Sequence, residues 1–143
     1  MKHITNILFI LYSSLLLYIV FFSRRRNGLI WSNKLVNLVP IRHTIRTFSQ
    51  IEEIGIVNFL SNIFGNIIIF IPLAFFLVNI FGVYTKRQII VIGFCISFSI
   101  EFIQFLLEIG VPDIDDLLLN VTGVVIGIYL YKILWSSFRN QTR

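Results

Sequence analysis

Four apolar runs, each about as long as a bilayer is thick, dominate this 143-residue chain. They fall at approximately residues 4–22, 56–81, 89–109 and 115–135. A helix needs about 20 apolar residues to cross hydrocarbon, so the chain has room for four crossings and little else. The expected fold is therefore all-α: an integral membrane four-helix bundle forming one domain over residues 1–143. Composition agrees. Charged residues make up 13%, against roughly a quarter in a soluble domain.

The net charge is +5, from 12 Lys and Arg against 7 Asp and Glu. The basic residues flank apolar runs, so membrane lipids with anionic headgroups are the expected partner rather than nucleic acid, for which no motif is present. Cys95, the single cysteine, sits mid-run and reads as a small buried apolar residue.

Lys2 precedes the first run, which is longer than the 7–15 residues of a signal-peptide core. Arg24, Arg25 and Arg26 follow it with no small-residue cleavage site, so it reads as a retained span. Residues 27–55 are too polar to cross. Trp31 suits an interface, and Asn37-Leu38-Val39-Pro40 reads as a turn. Apolar residues at 41, 45, 48, 51 and 54 approximate a helical period, with Arg42, His43, Arg46, Gln50 and Glu53 largely elsewhere. A short amphipathic helix in the interface is expected between the first two spans, with an irregular loop as the alternative.

Polar residues interrupt the later runs at helical spacing. Asn58, Asn62 and Asn66 form one stripe, expected to face away from lipid. Gly65 beside them would admit another helix. Pro72 frees the carbonyl of Ile68. In the third run Ser97, Glu101, Gln104 and Glu108 share a face; in the fourth, Asp116, Asn120, Gly123 and Gly127 do. The Gly123-x-x-x-Gly127 surface suits close packing, within the chain or in a homo-oligomer. Trp135, Arg139 and Arg143 mark the exit from the last span.

Four crossings put both termini and the Lys86–Arg87 turn on one side, and the 23–55 loop with the acidic 110–114 turn on the other. Lys2, Lys86, Arg87, Lys132, Arg139 and Arg143 balance Arg24, Arg25, Arg26, Lys34, Arg42 and Arg46. The acidic turn carries neither Lys nor Arg, which favours cytoplasmic termini.

Asp113-Ile114-Asp115-Asp116 is the densest charge cluster. Asp113 and Asp115 suit the capped, positive end of the last helix, whereas Asp116 points along the face of Asn120. Asp113, Asp116 and Asn120 could offer oxygens to Mg²⁺ or Ca²⁺. Pairing of the acids with Arg42 or Arg46 is favoured over metal, so neither metal nor cofactor is expected. Glu101 is the sharpest single candidate, as proton-transfer group, neutral donor or arginine partner. Its plainer role is interhelical bonding with Gln104, Asn62 or Asn66. His43 reads as a solvated interfacial histidine before it reads as a base. Ser97 and Ser99 lack the neighbours of a nucleophile, and no glycine-rich phosphate loop is present.

Four pieces in order carry a family resemblance: N-L-V-P at 37–40, S-N-I-F-G-N-I-I-I-F-I-P-L at 61–73, S-F-S-I-E-F-I-Q at 97–104 and D-I-D-D-L-L-L-N-V-T-G-V-V-I-G at 113–127. The chain resembles the VanZ-like family of bacterial membrane proteins, whose namesake is linked to low-level teicoplanin resistance. The resemblance implies a multi-pass protein of the bacterial cell membrane. By motif match it implies a functional face of Asn37, Pro40, Asn62, Asn66, Pro72, Glu101, Gln104, Asp113, Asp116 and Asn120. Many members carry an Arg before the acidic motif, where this chain has Gly110-Val111-Pro112, and a Gly where it has Ala74.

The expected site therefore has a polar intramembrane part, Asn62, Asn66, Glu101, Gln104, Asp116 and Asn120, and a rim of Asn37, Arg42, Arg46 and Asp113. Its expected ligand is an anionic lipid headgroup, a cell-wall precursor or an amphiphilic glycopeptide. The alternative is an intramembrane enzyme acting on a lipid-linked substrate, with Glu101 and Asp116 as acid–base or metal-holding groups. A proton-coupled carrier, which would need oligomers, is a lesser option.

Overall fold

A computed structural model describes residues 2–22, 37–107, 109 and 112–141, with backbone alone for residues 2 and 135–141. The sequence readings on the Arg24–Arg26 triplet, Trp31, Lys34, Glu108, Gly110-Val111, Arg143 and the Trp135 and Arg139 side chains lie outside the described residues.

Among the described residues six helices follow one another: α1 (Lys2–Phe22), α2 (Arg42–Ser49), α3 (Ile51–Ile54), α4 (Ile56–Asn79), α5 (Lys86–Leu106) and α6 (Ile114–Gln141). Four of them, α1, α4, α5 and α6, are long and apolar enough to cross a membrane. The all-α bundle expected from the apolar runs is thus observed, with boundaries shifted by a few residues. The α5 helix begins at Lys86, three residues before its apolar run, and ends at Leu106.

The interfacial segment is two helices instead of one. At Gln50 the backbone leaves helical geometry (φ −105°, ψ 22°), and the hydroxyl of Ser49 donates to the Arg46 carbonyl at 2.7 Å. Such local side-chain bonds compete with helix continuation. Gly55, at φ 83°, then turns the chain into α4, a conformation that costs glycine little. The turn at 37–40 forms as expected, closed by Val39 N–H donating to Asn37 Oδ1 at 3.3 Å.

Packing centres on α4 and α6, with α5 against α6 and α1 against α4. The glycines explain the central contact. A Cβ on Gly123 would collide with the Ile67 carbonyl, and one on Gly127 with the Ile71 carbonyl. Only hydrogen fits there, so the two backbones come close enough for Cα–H groups to face carbonyl oxygens. The small-residue surface serves packing within the chain. Phe70, Ala74 and Val124, almost fully buried, fill the space around it. Gly65, by contrast, has nothing within reach of an added Cβ, which corrects its expected role as a contact point.

Most large apolar side chains on α1 and on the outer faces of α4, α5 and α6 are exposed, as suits contact with acyl chains. Cys95 is among the exposed residues, so the expectation that it is buried is corrected. The α1 helix is held by few groups. Leu16 is buried, the Tyr12 hydroxyl donates to the Ile69 carbonyl at 2.9 Å, and the rings of Phe9 and Tyr12 pack at a tilt against Phe76.

Candidate functional site at the membrane interface

The start of α6 ties together the 37–40 turn, α2, α4 and α5. Backbone bonds come first. Asn37 N–H donates to the Pro112 carbonyl and Ile114 N–H donates to the Asn37 carbonyl, both at 3.0 Å. This parallel bridge joins the N-L-V-P turn to the turn ahead of α6.

Asp113 then caps its own helix, as the sequence led one to expect. Its Oδ1 accepts Asp115 N–H at 2.9 Å, and its carbonyl accepts Leu117 N–H at 3.2 Å. These are the two halves of an N-cap. The same Oδ1 accepts Asn37 Nδ2 at 2.7 Å, and Oδ2 faces His43 Nδ1 at 2.9 Å. The N–H of Asp113 donates to Glu101 Oε2 on α5 at 3.2 Å.

Asp115 behaves differently from the expectation that it would serve its own helix. It reaches across to cap α2. Residue Ile41, at the N-cap position of α2, has left-handed geometry (φ 67°) and no capping side chain. Asp115 supplies the missing acceptor, taking Ile41 N–H on Oδ1 and, on Oδ2, Thr44 N–H at 2.8 Å and Thr44 Oγ1 at 3.0 Å. A β-branched residue at positive φ is strained, and this carboxylate holds it there.

Deeper in the bundle the polar groups meet in pairs across helices. Asn66 Nδ2 on α4 donates to Asp116 Oδ1. Asn120 Nδ2 donates to Ser97 Oγ on α5 at 2.9 Å. Gln104 Nε2 donates to the Val20 carbonyl of α1 at 3.1 Å. Asn62 is half-buried and engaged. Asn58 departs from the expected stripe: it is exposed in the first turn of α4 and bonds back to the Ile54 carbonyl at 2.8 Å.

His43 is the site residue that sequence reasoning underrated. It is half-exposed rather than fully solvated, and its pairing with Asp113 spans 70 positions that no local pattern connects. The hydrogen bond to Asp113 raises its pKa above the ordinary histidine value; burial opposes this, and the charges of Asp113, Asp116 and Asp115 add to it. For Asp113, burial pushes the pKa up, but the bonds from His43, Asn37 and Asp115 N–H outweigh burial and hold it below the usual carboxylate value. Arg42 and Arg46 are exposed on α2. Among the described residues, Asp113 takes His43 as its ion-pair partner and not these arginines.

His43, Asp113 and Asp115 place three potential metal-ligand atoms within 4.8 Å of one another. Every carboxylate oxygen among them already accepts at least one protein donor, and Nδ1 of the histidine faces Asp113, while Nε2 of His43 is tied to no carboxylate among the described residues. A cation there would compete with the donors at the caps of two helices. The set suggested by sequence, Asp113, Asp116 and Asn120, is divided among partners on different elements.

Residues 9–135 match the VanZ/LLP1 family model. The chain belongs to the VanZ/LLP1 family. That match takes in the N-L-V-P turn, all of α2 to α5 and most of α6, so the bonded hub at the start of α6 lies inside the VanZ/LLP1 region. No curated protein and no solved structure matches the chain.

Proposed function

We propose that this VanZ/LLP1 protein binds the anionic headgroup of an amphiphile at the surface of the bacterial cell membrane, with its termini in the cytoplasm. The class includes anionic lipids, cell-wall precursors and amphiphilic glycopeptides, and a contribution to teicoplanin resistance fits the last two. One observation carries the reading. Helix α2 is pinned to the bundle by buried Asp115 and Asp113, while its Arg42 and Arg46 stay exposed and unclaimed by carboxylates among the described residues. On the same helix Ile45 and Phe48 are exposed, as befits a helix lying in an interface. Guanidinium groups fork well onto phosphate and carboxylate.

The enzyme reading built on Glu101 and Asp116 has less support, because each is engaged by a neighbour: Glu101 by Asp113 N–H and Asp116 by Asn66. Titration of the detergent-solubilised protein with phosphatidylglycerol, read by native mass spectrometry, tests the binding reading. Arg42→Gln with Arg46→Gln is expected to weaken retention at low salt by about tenfold, two charges at about 1 kcal/mol each near an anionic surface setting the upper scale. Unchanged retention removes the basis for it.

A further inference from the structure

We propose that His43 and Asp113 form a proton-transfer pair that hydrolyses a phosphoester bond in an anionic amphiphile's headgroup. This rests on the headgroup-binding reading above and adds a reaction to it.

The geometry is that of a histidine held by an acid. Asp113 is 9% exposed, and its oxygens take Asn37 Nδ2, Asp115 N–H and His43 Nδ1. A carboxylate fixed by so many donors fixes in turn the ring it bonds. It also sets the tautomer: with Nδ1–H given to Asp113, Nε2 is the nitrogen that can take a proton. The side chain of His43 keeps 43% of its surface exposed, so water and a headgroup can reach it.

The His43–Asp113 bond is not the sole tie between α2 and the bundle. The Asn37–Asp113 backbone bridge already joins the 37–40 turn to α6, and Asp115 already anchors α2. Thr47 adds a second observation. Its Oγ1 lies 3.4 Å from His43 Nε2 and gives its own proton to the His43 carbonyl at 2.8 Å. It therefore turns a lone pair toward Nε2, which favours the ring once Nε2 carries a proton. Thr47 is a positioning residue in this scheme.

Arg42 and Arg46 supply the phosphate end. They are four residues apart on α2, and His43 and Arg46 are three apart, so one headgroup can span both groups by helical spacing. In the reaction a water oxygen attacks phosphorus while its proton passes to Nε2. The phosphorus–oxygen bond to the leaving alcohol then breaks, and that oxygen takes the proton from Nε2. Asp113 stays ionised throughout, and no oxidant or metal electron is required. The charged groups around His43 are Asp113, Asp115 and Asp116 at the start of α6, Glu101 of α5 through Asp113 N–H, and Arg42 and Arg46 of its own helix.

The test uses the full chain in mixed micelles with phosphatidylglycerol or phosphatidic acid, followed by ³¹P NMR, and with bis(p-nitrophenyl) phosphate as a chromogenic probe. Phosphoester cleavage is expected, at a rate that rises with pH as His43 loses its proton. His43→Gln should lower the rate at least about 100-fold, the low end for general acid–base catalysis. In His43→Gly, added imidazole should restore activity. In Asp113→Asn the midpoint of the pH–rate curve should fall toward the ordinary histidine value, a change that mere support of the fold would not produce. Absence of cleavage of all three probes by the native chain overturns the proposal, and so does a His43→Gln protein that folds and retains the native rate. Native mass spectrometry of the detergent-solubilised protein with phosphatidylglycerol separates the two readings: retained phosphatidylglycerol binding without cleavage sinks the reaction and leaves headgroup binding standing.

Discussion

The carboxylate of Asp115 on α6 accepts the N–H of Thr44 on α2 at 2.8 Å, so one helix is capped by a residue of another. The arrangement makes α2 dependent on α6. No residue of α2 is buried, so few apolar contacts hold it, the Phe48–Phe59 ring pair being one. Polar bonds to Asp115 and Asp113 carry the docking.

Replacing Asp115 by Ala should therefore release α2 while leaving the four spans assembled. Loss of a cap costs about 0.5–2 kcal/mol. The expected result is faster amide exchange at residues 41–47 by about tenfold, with far smaller changes in α4 and α6. Equal acceleration in every helix would contradict local docking.

The His43–Asp113 pair gives stability a pH window. His43 has its folded pKa raised, so its contribution is complete below the unfolded value, near 6.5, and is lost as pH rises through the folded value. Asp113 has its folded pKa lowered, so its contribution is complete above the unfolded value, near 3.8, and is lost as pH falls through the folded value. The pair thus stabilises most between about pH 4 and 6.5. Thermal unfolding in detergent should show a midpoint that declines from pH 6 to pH 9, and His43→Gln should flatten that decline.

Gly123→Ala should destabilise the bundle, because the new methyl meets the Ile67 carbonyl, a backbone atom that cannot swing aside. Overpacking typically costs about 1–3 kcal/mol. Gly65→Ala is the control, since open space surrounds that site; there alanine should leave the melting temperature unchanged or raise it slightly. Similar losses at both sites would argue against a close α4–α6 approach.

Ser97 and Asn120 are expected to behave as a unit. Ser97 is fully buried and receives the Asn120 amide. Ser97→Ala strands that donor at a cost of about 1–3 kcal/mol, whereas removing both polar groups in Ser97→Ala with Asn120→Leu should cost less than the sum of the single changes. A double-mutant cycle of unfolding free energies measures the difference; strict additivity would mean the bond contributes nothing.

What the sequence revealed follows physical range. The spans were legible because hydrocarbon demands long apolar runs, and the polar faces of α5 and α6 because helical spacing is local. Asp113 could be read as a cap from its place before an apolar run. The trans cap by Asp115 and the His43–Asp113 pair could not, for they join residues some 70 positions apart. Ile41 at positive φ gave no warning, since a β-branched residue ordinarily avoids it. Gly65 and Gly123 look alike in a string of letters; only the neighbouring backbone distinguishes an open glycine from a crowded one.

The loose seating of α1 bears on how the protein is made. Only 6% of its apolar window is buried, against 33% for α4. The helix made before α4, α5 and α6 is thus the one least enclosed by them, and its apolar length suits it to enter the bilayer on its own. Its moorings then wait on later segments: Ile69 of α4 must arrive to receive the Tyr12 hydroxyl, and Gln104 of α5 to reach the Val20 carbonyl.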